Sequence, residues 1–319
     1  MYNRSTLNVH FLMLLVAIIW GGSWAIGRIL ALSLPPATGA WMRYIVCMLA
    51  FYLWFFYKSA RGEQVRWLPD SRDAWVRVLL IAVFAVMGYQ LLFMHGMKFT
   101  AAGDASLIIT MNPIFTVLLA SPFLGQRITA RMVYGLILAF IGVAVVTGWS
   151  PNTDIALNDR LKGDFMILLA ALCWATATNI TRIMLEAEGD YGASSSEIVV
   201  WYSLVGTALL TPWWLADVYT GGFKAPSNED LLAILYLSIL STVLAYIWFV
   251  VGVEKIGATS ASSYVFLVPP FGVLGGWLLL DERLGASLLL GFALIVLGVR
   301  VVQSESETVG RAGRSPLQD

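Results

Sequence analysis

The sequence is poor in charge. Only 13% of its 319 residues are Asp, Glu, Lys or Arg, and 59% are hydrophobic. Ordinary soluble domains carry about 25% charged and roughly 45–50% apolar residues, so this chain lacks the polar surface that water demands. Histidine and cysteine number two each. His10 and His95 are far apart, Cys47 and Cys173 have neither CxxC nor ligand spacing, and no carboxylate pair falls inside an apolar run. Metal binding and acid/base catalysis therefore have no visible constellation, and no metal, cofactor or enzymatic activity is expected. The cysteines read as small packed hydrophobes. Bases and acids balance at 20 each, which removes the electrostatic reason to expect nucleic acid. Long polar stretches are missing except at the end, where 303–319 is predicted to be a disordered cytoplasmic tail.

What the chain has instead is apolar length. A hydrocarbon core about 30 Å thick requires about 20 apolar residues per spanning helix. Ten such runs are predicted, at about 10–32, 37–57, 75–97, 101–123, 131–149, 163–185, 197–216, 229–252, 258–280 and 286–302. The first continues past any small-residue cleavage site and reads as an uncleaved span. Lysine and arginine favour cytoplasmic loops. With the N-terminus inside, that side collects Arg4, Lys58, Arg61, Arg66, Arg72, Arg77, Arg127, Arg131, Lys255, Arg300, Arg311 and Arg314, against Lys98, Arg160, Lys162, Lys224 and Arg283 on the other. The reading is a multi-pass inner-membrane protein with both termini cytoplasmic, a monomer or weak homo-oligomer in the lipid bilayer.

The chain also repeats itself. Shifting it by 156 positions lays the segment from Gly96 over the segment from Gly252 without a gap, matching Pro113 to Pro269, Phe115 to Phe271, Arg127 to Arg283, Gly135 to Gly291 and Gly142 to Gly298. A shift of 154 pairs Trp20 with Trp174 and Arg28 with Arg182. Two five-helix units follow, 1–150 and 151–302. Five is odd, so the second enters the membrane from the opposite side, giving an inverted repeat of the kind that supports alternating access around a midplane site. The expected fold class is an all-α membrane protein of ten transmembrane helices, arranged as two inverted five-helix repeats around a central cavity.

WGGSWAIGR in the first span, PATGAWMRY in the second, ASLIITMNPIFTVLLASPFLGQR in the fourth and ASSYVFLVPPFGVLGGWLLLDERL in the ninth together resemble the drug/metabolite transporter superfamily, in its ten-helix EamA-type branch. The resemblance covers about residues 10–302. It implies export or exchange of small metabolites, frequently amino acids, through a cavity between the halves. The first half departs from the pattern, with Gly125–Gln126–Arg127 where the second has Asp281–Glu282–Arg283.

Polar groups in spans should face inward, because lipid penalises them. Trp20 and Trp24 share a helical face with Ser23; Trp174 and Thr178 hold the matching places in the second half. Tyr89 and Gln90 in the third span, Tyr246 in the eighth, Ser106 and Thr110 in the fourth, and Ser262 in the ninth complete the predicted binding set. Arg28 and Arg182 are candidate carboxylate clamps, since a guanidinium fork suits a carboxylate, although a snorkelling anchor is the blander alternative. Arg43 reads as structural. Pro113, Pro269 and Pro270 break their helices at matching depth and are predicted hinges, with Ser106, Thr110 and Pro113 on the cavity face and Asn112 off it. The absence of a mid-span carboxylate argues against proton coupling. A small neutral or zwitterionic substrate, amino-acid-like and with an aromatic part, moved by efflux or exchange, fits this set. An exporter of drugs or cationic compounds with the same fold, and a non-transporting membrane receptor, are the alternatives.

Overall fold

The computed structural model describes residues 4–124, 128–152, 154–186, 194–256 and 264–312. Among these there is no strand, and ten helical stretches follow one another. They are α1 (Arg4–Ser33), α2 (Pro36–Ala60), α3 (Arg72–Gly96), α4 (102–124), α5 (Ala130–Gly148), α6 (Leu157–Glu186), α7 (Ser195–Gly221), α8 (228–256), α9 (Val268–Leu280) and α10 (Ala286–Ala312). Nine of them contain apolar windows long enough to cross a bilayer; α9 is apolar and shorter over its described length.

Local chemistry marks the ends. Ser71 and Thr129 accept N–H bonds from Ala74 and Met132 at the starts of α3 and α5. Ser194 and Ser227 form capping boxes with Glu197 and Asp230 at the starts of α7 and α8, satisfying donors that a helix start leaves free. Helix α9 ends at Asp281, whose φ of 54° is left-handed; this reverses the chain and lets the Glu282 N–H reach the carbonyl of Gly276 at 3.1 Å. Helix α10 runs on to Ala312, so the polar stretch expected to be disordered from 303 begins as helix. Buried Val302 and the Arg131–Glu305 pair at 3.4 Å tie that extension to α5.

The packing obeys the repeat. Helix α1 lies against α8 and α9, and its repeat-mate α6 lies against α3 and α4; α2 contacts α8, and α7 contacts α3. The pairs α2–α7, α4–α9 and α5–α10 are each made by two repeat-mates. The two sequence halves are therefore not two separate bodies. Each gives its first helix to the other: the spatial groups are α1 with α8 and α9, and α6 with α3 and α4.

Close approaches fix these pairs. A Cβ on Gly142 would sit 2.8 Å from the Gly291 carbonyl, and one on Gly298 2.4 Å from the Gly135 carbonyl, so α5 and α10 meet backbone to backbone along a glycine seam. Gly21 packs on Phe271 of α9, and Gly22 on the Tyr236 hydroxyl of α8.

Two helices contain π turns, at Ala82–Gly88 in α3 and Tyr236–Leu244 in α8. Such turns widen the helix and leave carbonyls for other donors. In α4, residues Ile109–Met111 tighten into a 3₁₀ turn before the chain resumes α-helix at Asn112. The carbonyl of Ile109, which Pro113 cannot serve, accepts the N–H of Asn112 instead. Helix α9 starts at Val268, 156 positions later, and holds Pro269 in its first turn, where a missing N–H costs nothing. Pro113, Pro269 and Pro270 thus stand in the first turns of symmetric α-helical segments, Pro113 within α4 just after its 3₁₀ turn.

Candidate functional site

A cavity of about 370 Å³ lies among the helices, lined from α1, α2, α3, α4, α6, α7, α8 and the start of α9. The glycine-paired α5 and α10 contribute no lining residue among those described. Toward the junction of α3 and α4, buried Leu30, Met94, Met97 and Ala102 belong to the same apolar cluster as the lining residues Trp24 and Phe93.

Aromatic rings are prominent in the wall. Trp20 sits 5.3 Å from Phe249, Trp24 5.5 Å from Phe93 edge-on, and Tyr89 5.7 Å from Phe93 and 5.5 Å from Trp174. The π turn of α8 organises the polar part. Trp20 Nε1 donates to the Ser241 carbonyl at 2.9 Å, and the Ser23 hydroxyl is 2.8 Å from Ser241 Oγ. Thr242 Oγ1 donates to Leu237 O, five residues back, at 2.7 Å, and accepts from Arg43 Nη2 at 3.0 Å. Ser238 Oγ donates to the Arg43 carbonyl at 2.9 Å. Gln90 is buried, and its Oε1 has no donor.

Of the predicted binding residues, the structure brings Trp20, Ser23, Trp24, Tyr89, Gln90, Trp174 and Tyr246 to this cavity. Ser106, Thr110 and Thr178 are not among its lining residues. Ser106 is fully buried against α9, bonding the Gly103 carbonyl at 2.8 Å and lying over Gly272. Thr110 donates to its own helix at Leu107 O, and exposed Thr178 donates to Trp174 O. On α4 it is Ile109 and Asn112, three apart on a neighbouring face, that line the cavity, while the face carrying Ser106 meets α9. Ser262 lies outside the described residues.

The arginine clamps are also placed elsewhere. Arg28 donates through Nη1 to the Thr100 carbonyl and sits 3.4 Å from Glu282 Oε1. Glu282 in turn accepts the N–H groups of Ala102 at 2.6 Å and Gly103 at 2.9 Å, so a carboxylate from the second half caps α4 of the first. Arg182 is exposed near the end of α6. Around the junction of α3 and α4 lie buried Asp104, Asp164 and Arg160, with the Thr100 hydroxyl donating to Asp164 and Arg160 to the Ser150 carbonyl. The sequence reading passed over this buried polar layer because each member falls near a predicted helix end. It also missed Arg43, Tyr44, Tyr202 and Ser203 of α2 and α7 in the cavity wall. The repeat-related α2–α7 contact is the signal that would have placed them there.

An internally repeated, ten-helix membrane bundle around a central cavity fits a multi-pass transporter, and comparison makes the class specific. The profile of the EamA-like transporter family matches residues 7–148 and again 161–303; the chain belongs to this family, within the drug/metabolite transporter superfamily. The uncharacterized transporter YyaM of Bacillus subtilis is 24% identical over 92% of this chain and 92% of its own length. A probable amino-acid metabolite efflux pump of Escherichia coli is 26% identical over 91% and 93%. A probable terminal-alkyne amino-acid exporter of Streptantibioticus cattleyicolor is 27% identical over 76% and 77%. One crystal structure aligns with a TM-score of 0.62 at 19% identity, covering 93% of this chain and 98% of the other, a likeness of fold. Family and relatives alike are transporters, not enzymes.

Proposed function

We propose that the chain moves a small amino-acid-like metabolite with an aromatic or apolar part across the inner membrane by alternating access, as an exporter or exchanger, with both termini in the cytoplasm. The observation that carries this reading is the cavity itself: it is ringed by Trp20, Trp24, Tyr89 and Trp174, punctuated by hydroxyl and amide groups, and reached by helices of both repeats. Its size and its mixture of apolar walls with a few polar groups suit a single small organic molecule. The amino-acid cargo named for two relatives agrees with it. Cationic drugs fit less well, because no carboxylate lines the cavity among the described residues.

Pro113 and Pro269, at the symmetric starts beside the cavity, are where we place the bending between states. Counterflow in proteoliposomes tests the transport reading: vesicles preloaded with unlabelled phenylalanine, leucine or related metabolites should accumulate the labelled compound faster than protein-free vesicles. No acceleration across a broad amino-acid panel would refute it.

A further inference from the structure

We propose that Arg43 is a carboxylate-binding site, and that it makes the cavity selective for organic molecules bearing a carboxylate on an apolar or aromatic body, whether or not they also carry an amine. The inference rests on the cavity being the substrate site and assigns the charge that site requires. Arg43 is the one charged side chain among the described residues lining the cavity. Its Nη2 has a neutral partner, Thr242 Oγ1, and its Nε is buried with no acceptor. No carboxylate among the described residues lies within ion-pair distance of it. The Tyr44 ring, 5.9 Å away, gives only a long cation–π contact.

A guanidinium in a water-poor interior is costly when it lacks a counter-charge. Arg28, away from the cavity lining, is paired with Glu282; Arg43 has no such partner among the described residues. A substrate carboxylate supplies what is missing, and the planar donor fork is shaped for it. The stacked rings of Tyr89 and Phe93, with Trp174 and Trp20, receive the apolar body. Thr242 and the Ser238–Arg43 backbone bond hold the arginine in place from the π turn of α8. No anionic group in the described lining selects for an amine, so the ammonium of an amino acid is tolerated without being required.

The test is intrinsic tryptophan fluorescence of purified full-length protein in detergent, since three lining residues are tryptophans. Four probes share a body and differ in charge: 3-phenylpropionate, phenylalanine, phenethylamine and 3-phenylpropanol. Wild type should bind the two carboxylates at least about tenfold more tightly than the amine, a ratio worth one charge-assisted contact. Arg43→Gln should abolish that preference and leave 3-phenylpropanol within about twofold, while Arg43→Lys recovers part of it. If Arg43→Gln fails to fold, Arg43→Lys decides: it keeps the charge but loses the planar fork, so its carboxylate preference should fall below that of wild type, and an unchanged preference overturns the proposal. Equal wild-type binding of amine and carboxylate, or no binding of the carboxylates, overturns the proposal, as does an equal loss of acid and alcohol in a folded Arg43→Gln protein. Counterflow separates the two readings: vesicles that move all four probes alike keep the transport reading and refute charge selection, and vesicles that move none refute both.

Discussion

If α5 and α10 are held by direct backbone contact, one methyl group at Gly298 should separate them. The ideal Cβ position there is 2.4 Å from the Gly135 carbonyl oxygen, 2.7 Å from the Ala139 nitrogen and 2.8 Å from the Ala139 Cβ. Favourable carbon contacts begin at about 3.5 Å, so the helices must part by roughly 1 Å. The obstructing atoms are mostly backbone and cannot rotate away. Overpacking of this kind costs about 1–3 kcal/mol, and the immobility of the carbonyl places Gly298→Ala toward the top of that range. Gly291→Ala meets chiefly a Val146 methyl at 2.3 Å, with the Gly142 oxygen farther off at 3.0 Å, and should cost less. Gly148→Ala meets nothing within 4 Å and should be neutral or slightly stabilising, since alanine replaces the freer glycine in a helix. Thermal unfolding in one detergent, followed by scanning fluorimetry, should therefore rank the melting temperatures Gly148→Ala, Gly291→Ala, Gly298→Ala from highest to lowest, the last several degrees below wild type. A Gly298→Ala protein melting with the Gly148→Ala protein would show that the seam is looser than described and refute the reasoning.

Other outcomes can be checked in parallel. Glu282→Ala strips two N–H bonds from the start of α4 and leaves Arg28 buried without its counter-charge; a loss of about 3 kcal/mol is expected, read as a fall in melting temperature, and an unchanged melt would discount the network. Asp104→Asn should melt at or above wild type, because both carboxylate oxygens are buried without a donor and the neutral amide avoids that cost; a clear fall would mean the carboxylate has a partner that matters. Trp174→Ala, at a residue 39% exposed in the cavity wall, should lower transport about tenfold or more while leaving stability nearly unchanged, and retained transport would remove it from the substrate path.

The sequence carried the large-scale design because glycine, proline and arginine coincide at a fixed shift, and an odd number of spans forces the inversion. Trp20, Ser23, Trp24, Tyr89, Gln90, Trp174 and Tyr246 could be singled out as polar or amphipathic groups at span depth, and they stand in the cavity wall. Helical periodicity gives which residues of α4 share a face, not which neighbour that face meets: Ser106 packs on Gly272 of α9, and Ile109 and Asn112 reach the cavity instead. Arg43 looked structural because nothing local says that α2 and α7 reach the cavity; that depends on which helices pair, and so does the exchange of α1 and α6 between halves. Glu282 was legible as a helix-end acid, but its target, the first turn of α4, is 180 residues away in sequence.

The two π turns share a shape and not a chemistry. Ala82–Gly88 and Tyr236–Leu244 occupy the same place in the repeat. The side chains on them are not shared: AVFAVMG is wholly apolar, while YLSILSTVL carries Ser238, Ser241 and Thr242, which bond Arg43 and Ser23. A symmetric scaffold thus encloses a cavity whose two sides are chemically unequal, with the Ser241 and Thr242 hydroxyls on the α8 side.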